Sequence, residues 1–335
     1  MRRIGVNPAR DQVAGYRPAR VTAAVLTYIP VMEGYFTERL DILKVCLGSL
    51  QQNTDVPVDL MVFNNGSCQE VSAYLENLRL EGKIQYLLSS RENIGKTGAL
   101  KMIFGAAPGE IVAYCDDDVY HYPGWLEPQL ELLDHFPNVG MVSGVGIRIR
   151  FRDFIQSNMD YAEKDPELSL EYGRFIPDEW ERDFCLSTGR DPEVHGRNTA
   201  DMQDIILHYH GKKAFAMANH FQFISPREVL LQALMPEWTG RLMREMAALD
   251  KAVEKLGYLR LSTMDRKVRH MGNALPKDLS EVGPLADERS QKRLENNKSS
   301  FLSKVILKIP GMRKLLKSVY HRLFIILNRG QLDRN

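Results

Sequence analysis

The chain has 335 residues, 44% of them apolar and 26% charged, an ordinary balance for a globular protein. That excludes a collagen, a low-complexity disordered chain and a disulfide mini-protein. The longest unbroken apolar runs, such as residues 323–327, stop far short of the roughly 20 residues that cross a bilayer. The net charge of +1 hides an asymmetry, because residues 298–330 carry eight Lys and Arg and no acid. The rest of the chain is therefore net acidic.

Residues 1–20 are basic and rich in Arg, Pro and Gly, and read as a loose arm. No apolar run follows the opening arginines, so no secretory leader is expected. Residues 21–27 form an apolar run between Pro18 and Pro30, the pattern of a buried strand. Residues 39–52 place Leu40, Leu43, Leu47 and Leu50 at helical spacing. A second strand is expected over 58–63, a helix over 69–80, a third strand over 83–88 and a short helix over 97–107, ended by Pro108-Gly109. A fourth strand over 110–115 runs straight into Asp116-Asp117-Asp118.

Strands alternating with helices of this length predict an α/β fold with a doubly wound, mainly parallel sheet and right-handed crossovers. In such sheets ligands bind outside the carboxyl ends of the strands. Thr27-Tyr28, the turn Asn64-Asn65-Gly66-Ser67 and the three aspartates all fall at those ends. Residues 151–200 read as a long polar excursion, 213–224 as strand-like alternation, 239–257 as a helix ending at Gly257, and 266–270 as a short strand ending in His270. Cys46, Cys68, Cys115 and Cys185 lie far apart without CxxC spacing, so neither a zinc site nor a disulfide framework is expected, and a reducing cytosol is the default.

Three adjacent carboxylates repel one another. In an extended chain Asp116 and Asp118 project to the same side. They can share a hard cation with oxygen ligands, Mg²⁺ or Mn²⁺. The alternative is that they cap the helix expected near Pro123-Gly124-Trp125. One aspartate suffices for a cap, and three are costly without counter-charge.

Read together, Leu26-Thr27-Tyr28, Phe63-Asn64-Asn65-Gly66-Ser67, the segment RENIGKTGAL over 91–100 and YCDDDVYHYPGWLEP over 114–128 resemble the nucleotide-sugar half of the family 2 glycosyltransferases, which have a GT-A, Rossmann-like fold. The resemblance implies a glycosyltransferase domain over 21–280, with a nucleotide-sugar half at 21–135 and an acceptor half at 136–280, between the arm and a tail over 281–335. It implies that Asp118 is the principal metal ligand and that Asp116 holds ribose and supports the metal. Thr27, Tyr28, Asn64 and Asn65 would face base and ribose, and Asn93, Gly95, Lys96 and Asp117 would lie by the nucleotide. The chain departs from the family at Asn64, where the family usually has Asp; an amide still offers a donor and an acceptor. A second departure is the extra stretch PVMEGYFTE before the first helix.

In the inverting transfer that the resemblance implies, a carboxylate takes the acceptor hydroxyl's proton. The family places that acid in a Glu-Asp pair about 11 residues before an Ala-Gly-Tyr-like end. Here Leu256-Gly257-Tyr258 supplies the end, and counting back reaches Glu245-Met246. Asp250 is the rival. With Leu242, Met246, Leu249, Val253 and Leu256 as an apolar stripe, Glu245 lies roughly 60° to one side of Leu242 and Asp250 roughly 80° to the other. They do not easily serve one site, and Glu245 is nearer the family's register. The plain alternative for either is a solvated carboxylate beside Arg241, Arg244 or Lys251. His270 stands where the family's late histidine stands and would complete the metal site; otherwise it is a loop histidine. His195, His208, His210 and His220 have no ligand-like register and are left as structural or acceptor-facing.

In the tail, Met312, Leu315, Leu316, Val319, Tyr320, Leu323, Phe324 and Leu327 recur at helical spacing, with Arg313, Lys314, Lys317, His321 and Arg322 on the other face. A basic amphipathic helix predicts an anionic membrane surface as partner; docking on the catalytic domain is the alternative. No recognition fold accompanies the charge, so nucleic acid is not expected. The expectation is a metal-dependent inverting glycosyltransferase, peripheral on the cytoplasmic face of the membrane, with a glycan or lipid-linked acceptor. The competitors are a nucleotidyltransferase, against which TYIPVMEG argues where a Gly-rich basic loop belongs, and a non-catalytic nucleotide-sugar-binding module, which Met246 in place of the usual Asp keeps open.

Overall fold

The computed structural model describes residues 9–10, 15–148, 155–233 and 246–280. The chain divides into two units, residues 1–277 and 278–335. The second lies almost wholly outside the described residues. So do most of the N-terminal arm, the basic tail and Glu245.

The strands of the first unit are β1 (Val21–Thr27), β2 (Val58–Asn65), β3 (Tyr86–Ser90), β4 (Ile111–Asp116), β5 (Val119–His121), β6 (Val139–Ser143), β7 (Leu168–Gly173), β8 (Asp204–Tyr209), β9 (Lys212–Phe215), β10 (Gln222–Pro226), β11 (Leu259–Ser262) and β12 (Val268–His270). The α-helices are α1 (Arg39–Gln52), α2 (Gln69–Leu80), α3 (Gly95–Ala106), α4 (Glu127–His135), α5 (Gln156–Lys164), α6 (Asp178–Ser187), α7 (Pro192–Asn198), α8 (Arg227–Gln232) and α9 (Met246–Lys255).

Ten strands form one sheet in the order β3-β2-β1-β4-β10-β6-β11-β9-β8-β7, and β5 pairs with β12 in a small second sheet. The first four strands are parallel. All seven residues of β1 are buried, which is why it reads as an unbroken apolar run rather than an alternation. On one face Ala24, Leu26, Met61, Phe63 and Tyr114 share a core with Ala99, Leu100, Ile103 and Phe104 of α3. In the first turn of α1 the buried residue is Arg39, not Leu40 of the expected stripe.

The expected parallel sheet holds for this half. Beyond it the sheet is mixed: β10 runs antiparallel between β4 and β6, and β11 is parallel to β6. The strand expected over 213–224 is two, β9 and β10, which lie apart in the sheet. The excursion over 151–200 contains α5, β7, α6 and α7. Its sequence carries little periodicity because its elements bury few apolar side chains; Leu168 is the one buried residue of β7, and α5 buries Ser157 and Asn158. Among the described residues no helix is long and apolar enough to cross a membrane.

Candidate active site at the ends of the parallel strands

Strand register places the expected site residues along one edge. Thr27 lies opposite Asn64, Leu26 opposite Asp116, and Asn65 opposite Ser90. The turn after β2 is pinned there: Ser67 Oγ accepts from Ile29 N at 3.0 Å, and Cys68 N donates to Ile29 O at 2.9 Å. Gly66 adopts φ +79°, and a Cβ on it would meet Asn93 N and Glu92 C at 2.8 Å, so only glycine lets the two loops touch.

The asparagines fasten this edge. Asn64 Nδ2 donates to Ser72 Oγ at 2.9 Å and its Oδ1 accepts from Ser67 N at 3.0 Å. Asn65 Nδ2 donates to Asn93 Oδ1 at 2.9 Å and its Oδ1 accepts from Ile94 N at 3.0 Å. Asn93 Oδ1 also accepts from Gly95 N at 2.8 Å, starting α3. Asn64 and Asn65 were expected to face base and ribose. Both are buried with each amide end already bonded, because a sharp turn after a central strand leaves backbone groups that need partners.

The three aspartates point three ways. Asp116 Oδ1 accepts from Lys96 Nζ at 2.5 Å and from Tyr114 Oη at 2.6 Å. Burial, then the Asp116 charge, drive the Tyr114 phenol well above its ordinary pKa, so it stays a donor. Asp117 accepts from Thr27 Oγ1 at 2.6 Å and from Arg39 Nη2, and is buried. Burial raises its carboxyl above the usual range, and Arg39 offsets part of that. Thr27 and Asp117 are thus bonded to each other inside the strand ends, and Asp117 also to Arg39. Tyr28, next in the chain, is half-buried.

Asp118 Oδ2 accepts from Arg39 Nη1 at 2.8 Å. Its Oδ1 is buried without a hydrogen-bond partner among the described residues, and His270 Nε2 stands 3.5 Å away. Burial alone would raise the Asp118 carboxyl, but His270 and Arg39 outweigh it and hold the carboxyl below the usual range. The small sheet makes this meeting possible, since His270 pairs with Val119 and Met271 N donates to Asp118 O at 2.7 Å. His270 Nδ1 lies 2.9 Å from Ser187 Oγ, and its ring sits edge-on to Phe184 and Phe221 at 5.8 and 5.3 Å.

Residues 35–187 match the family model described as glycosyl transferase family 2. That match, over just under half of the chain, supports a family 2 glycosyltransferase. Its fold resembles a mannosyltransferase, PcManGT, from Pyrobaculum calidifontis, solved with GDP-Man and Mn²⁺, at 17% identity and TM-score 0.41, covering 74% of this chain and 55% of that one. It resembles GalNAc-T7, solved with UDP, GalNAc and Mn²⁺, at 10% identity and TM-score 0.47, covering 76% and 44%. It resembles TarS from S. aureus, solved with UDP, at 16% identity and TM-score 0.39, covering 78% and 63%. The chain thus spans about half to just under two thirds of those structures' lengths. No curated protein matches it by sequence.

At the end of β4, the residues present fit a divalent cation. An orphaned, buried carboxylate oxygen facing an imidazole nitrogen is a donor pair that a hard or borderline cation satisfies. No group of three or more His, Cys, Asp or Glu forms among the described residues, so further ligands would come from outside these side chains. Asp116, the second expected ligand, accepts from Lys96 and Tyr114.

Two features escaped sequence reasoning. Arg39 is 8% exposed and bonds Asp117, Asp118 and the carbonyl of Gly272 at 2.8 Å. Its place just after the unusual stretch before α1 was the signal. The second is α6, which brings Ser187 and Phe184 to His270 from a segment read as a polar excursion. Asp250, the rival base, is 5% exposed and bonded to Arg260 Nη2 at 2.5 Å and His220 Nδ1 at 2.8 Å. The helical wheel put it off the apolar stripe and beside solvent; the fully buried Arg260 of β11 draws it inward.

Proposed function

We propose that this domain transfers a sugar from a nucleotide-diphosphate sugar to a hydroxyl of a glycan or lipid-linked acceptor, with inversion at the anomeric carbon. The family match supports the reaction class. The observation that carries the reading is the buried, partnerless Asp118 oxygen facing His270 at the end of β4. Asp118 and His270 would hold Mn²⁺ or Mg²⁺, which when bound offsets charge on the departing diphosphate.

The chain's own residues do the rest. Arg39 pairs with both Asp117 and Asp118 and so offsets part of the cost of burying them. Lys96 holds Asp116 at the mouth, where ribose and phosphate would approach. Asn65, Asn93 and Gly95 shape the loop on which the nucleotide would lie, and Tyr28 flanks it. Glu245, the carboxylate expected as base, lies outside the described residues.

The test is release of nucleoside diphosphate from UDP-glucose, UDP-GlcNAc, UDP-galactose and GDP-mannose with Mn²⁺. Release by the wild type with at least one donor, lost in Asp118→Ala, is expected. Pyrophosphate in place of nucleoside diphosphate would mean a nucleotidyltransferase. Binding without release would mean a sugar-nucleotide-binding module. The basic tail adds a second part to the proposal: it holds the enzyme on an anionic membrane surface at the cytoplasmic face, where a lipid-linked acceptor would be presented.

A further inference from the structure

The proposed transfer needs a group that removes the acceptor's proton. We propose that His220 is the general base and Asp250 its positioning residue, an assignment that rests on the transferase reading above. His220 precedes Phe221, whose carbonyl accepts from Asp116 N at 2.8 Å. The antiparallel β10 begins at Gln222, opposite Cys115 of β4. His220 therefore leaves the sheet at the same edge where β4 delivers its aspartates. The Phe221 ring next to it lies 5.3 Å from the His270 ring, which faces Asp118.

The imidazole is held from behind. His220 Nδ1 is 2.8 Å from Asp250 Oδ2, and the other Asp250 oxygen accepts from Arg260 Nη2 at 2.5 Å. The Asp250 side chain is 7% exposed, whereas that of His220 is 46% exposed. A carboxylate is an acceptor only, so it fixes the proton on Nδ1 and turns the Nε2 lone pair outward. Nε2 has no partner among the described residues. Around the dyad, Arg260 also faces Glu254 at 3.7 Å. Sealing Arg260 does not require a half-exposed histidine, because Asp250 and the Ala218 carbonyl at 2.9 Å already bond it.

In the step, the acceptor oxygen bonds the anomeric carbon and its proton passes to His220 Nε2. The bond from that carbon to the diphosphate oxygen breaks, and its electron pair leaves with the nucleoside diphosphate. His220 then returns the proton to solvent. Water can stand in for the acceptor, so donor hydrolysis reads the same base.

The experiment uses the full chain, Mn²⁺ and the donor panel above, with water or p-nitrophenyl glycosides as acceptor. In His220→Ala, kcat for nucleoside diphosphate release should fall at least about 10²-fold. The Kd for UDP or GDP and the thermal midpoint should stay at the wild-type values, and added imidazole should restore part of kcat. Asn preserves a donor toward Asp250, so His220→Asn guards against misfolding and should show the same loss of kcat. Wild-type kcat in either variant overturns the proposal. So does a loss that imidazole does not relieve, or a loss found in Glu245→Gln and not in His220→Ala. No release by the wild type with any donor overturns the transferase reading itself, and the base with it.

Discussion

At the residue scale, the site depends on how buried charge is shared. Asp117 and Asp118 sit side by side, yet their pKa values move apart: burial raises one, and His270 and Arg39 lower the other. Arg39 is the shared counter-charge, so Arg39→Met should leave two buried carboxylates uncompensated. A loss of about 3–5 kcal/mol in urea unfolding is expected, together with lost donor binding; a loss under about 1 kcal/mol would show the cluster solvated. His121 supplies a pH test. It is fully buried against Trp125, with neither ring nitrogen bonded among the described residues, and burial pushes its pKa down to about 3. The folded state thus favours the neutral ring, and the unfolded chain binds the proton first. Stability from this group is full above about pH 6.5 and falls as pH drops toward 3. From pH 7.5 to pH 5 it should decline by about 2 kcal/mol, and His121→Phe should flatten that slope in chemical unfolding.

At the element scale, two loops and one small sheet build the site. The contact of Gly66 with the backbone of Glu92 and Asn93 seats the segment before α3. Gly66→Ala adds a Cβ at φ +79° and forces the loops apart, so a destabilisation of at least about 2 kcal/mol is expected. UDP or GDP affinity, read by titration calorimetry, should fall with it; unchanged affinity would detach this loop from the nucleotide. The pairing of β5 with β12 carries His270 to Asp118. That pairing joins segments about 150 residues apart, which no local pattern encodes. The excursion was unreadable for a related reason. Its helices bury charged and small groups, such as Glu181, Ser157 and Asn158, in place of an apolar stripe.

At the scale of the whole molecule, the sequence separates an acidic domain from a basic end. A chain ending at residue 297 should lose co-sedimentation with vesicles of anionic phospholipid, and full-length binding should weaken with salt without vanishing, since Leu315, Leu323 and Phe324 add apolar area. Nucleoside diphosphate release should survive the truncation. If the shortened chain unfolds, the tail's apolar face is part of the domain's packing and the anchoring idea fails.

The sequence by itself determined the parallel half of the sheet, α1 and α2, and the edge at which the polar clusters gather, because there local period and tertiary burial agree: apolar runs end at polar clusters, strand after strand. Only the tertiary structure decided what each polar side chain is for. Asn64, Asn65, Thr27 and Asp117 carry the right chemistry for a nucleotide, and their side chains also bond one another and the turn after β2. Asp250 reads as a solvated helix carboxylate until Arg260, buried in a neighbouring strand, draws it in and sets it behind His220. Hydrogen bonds and ion pairs between residues distant in sequence have no period. Their partners are fixed only when the chain is packed and each buried polar group must find the one complement within reach.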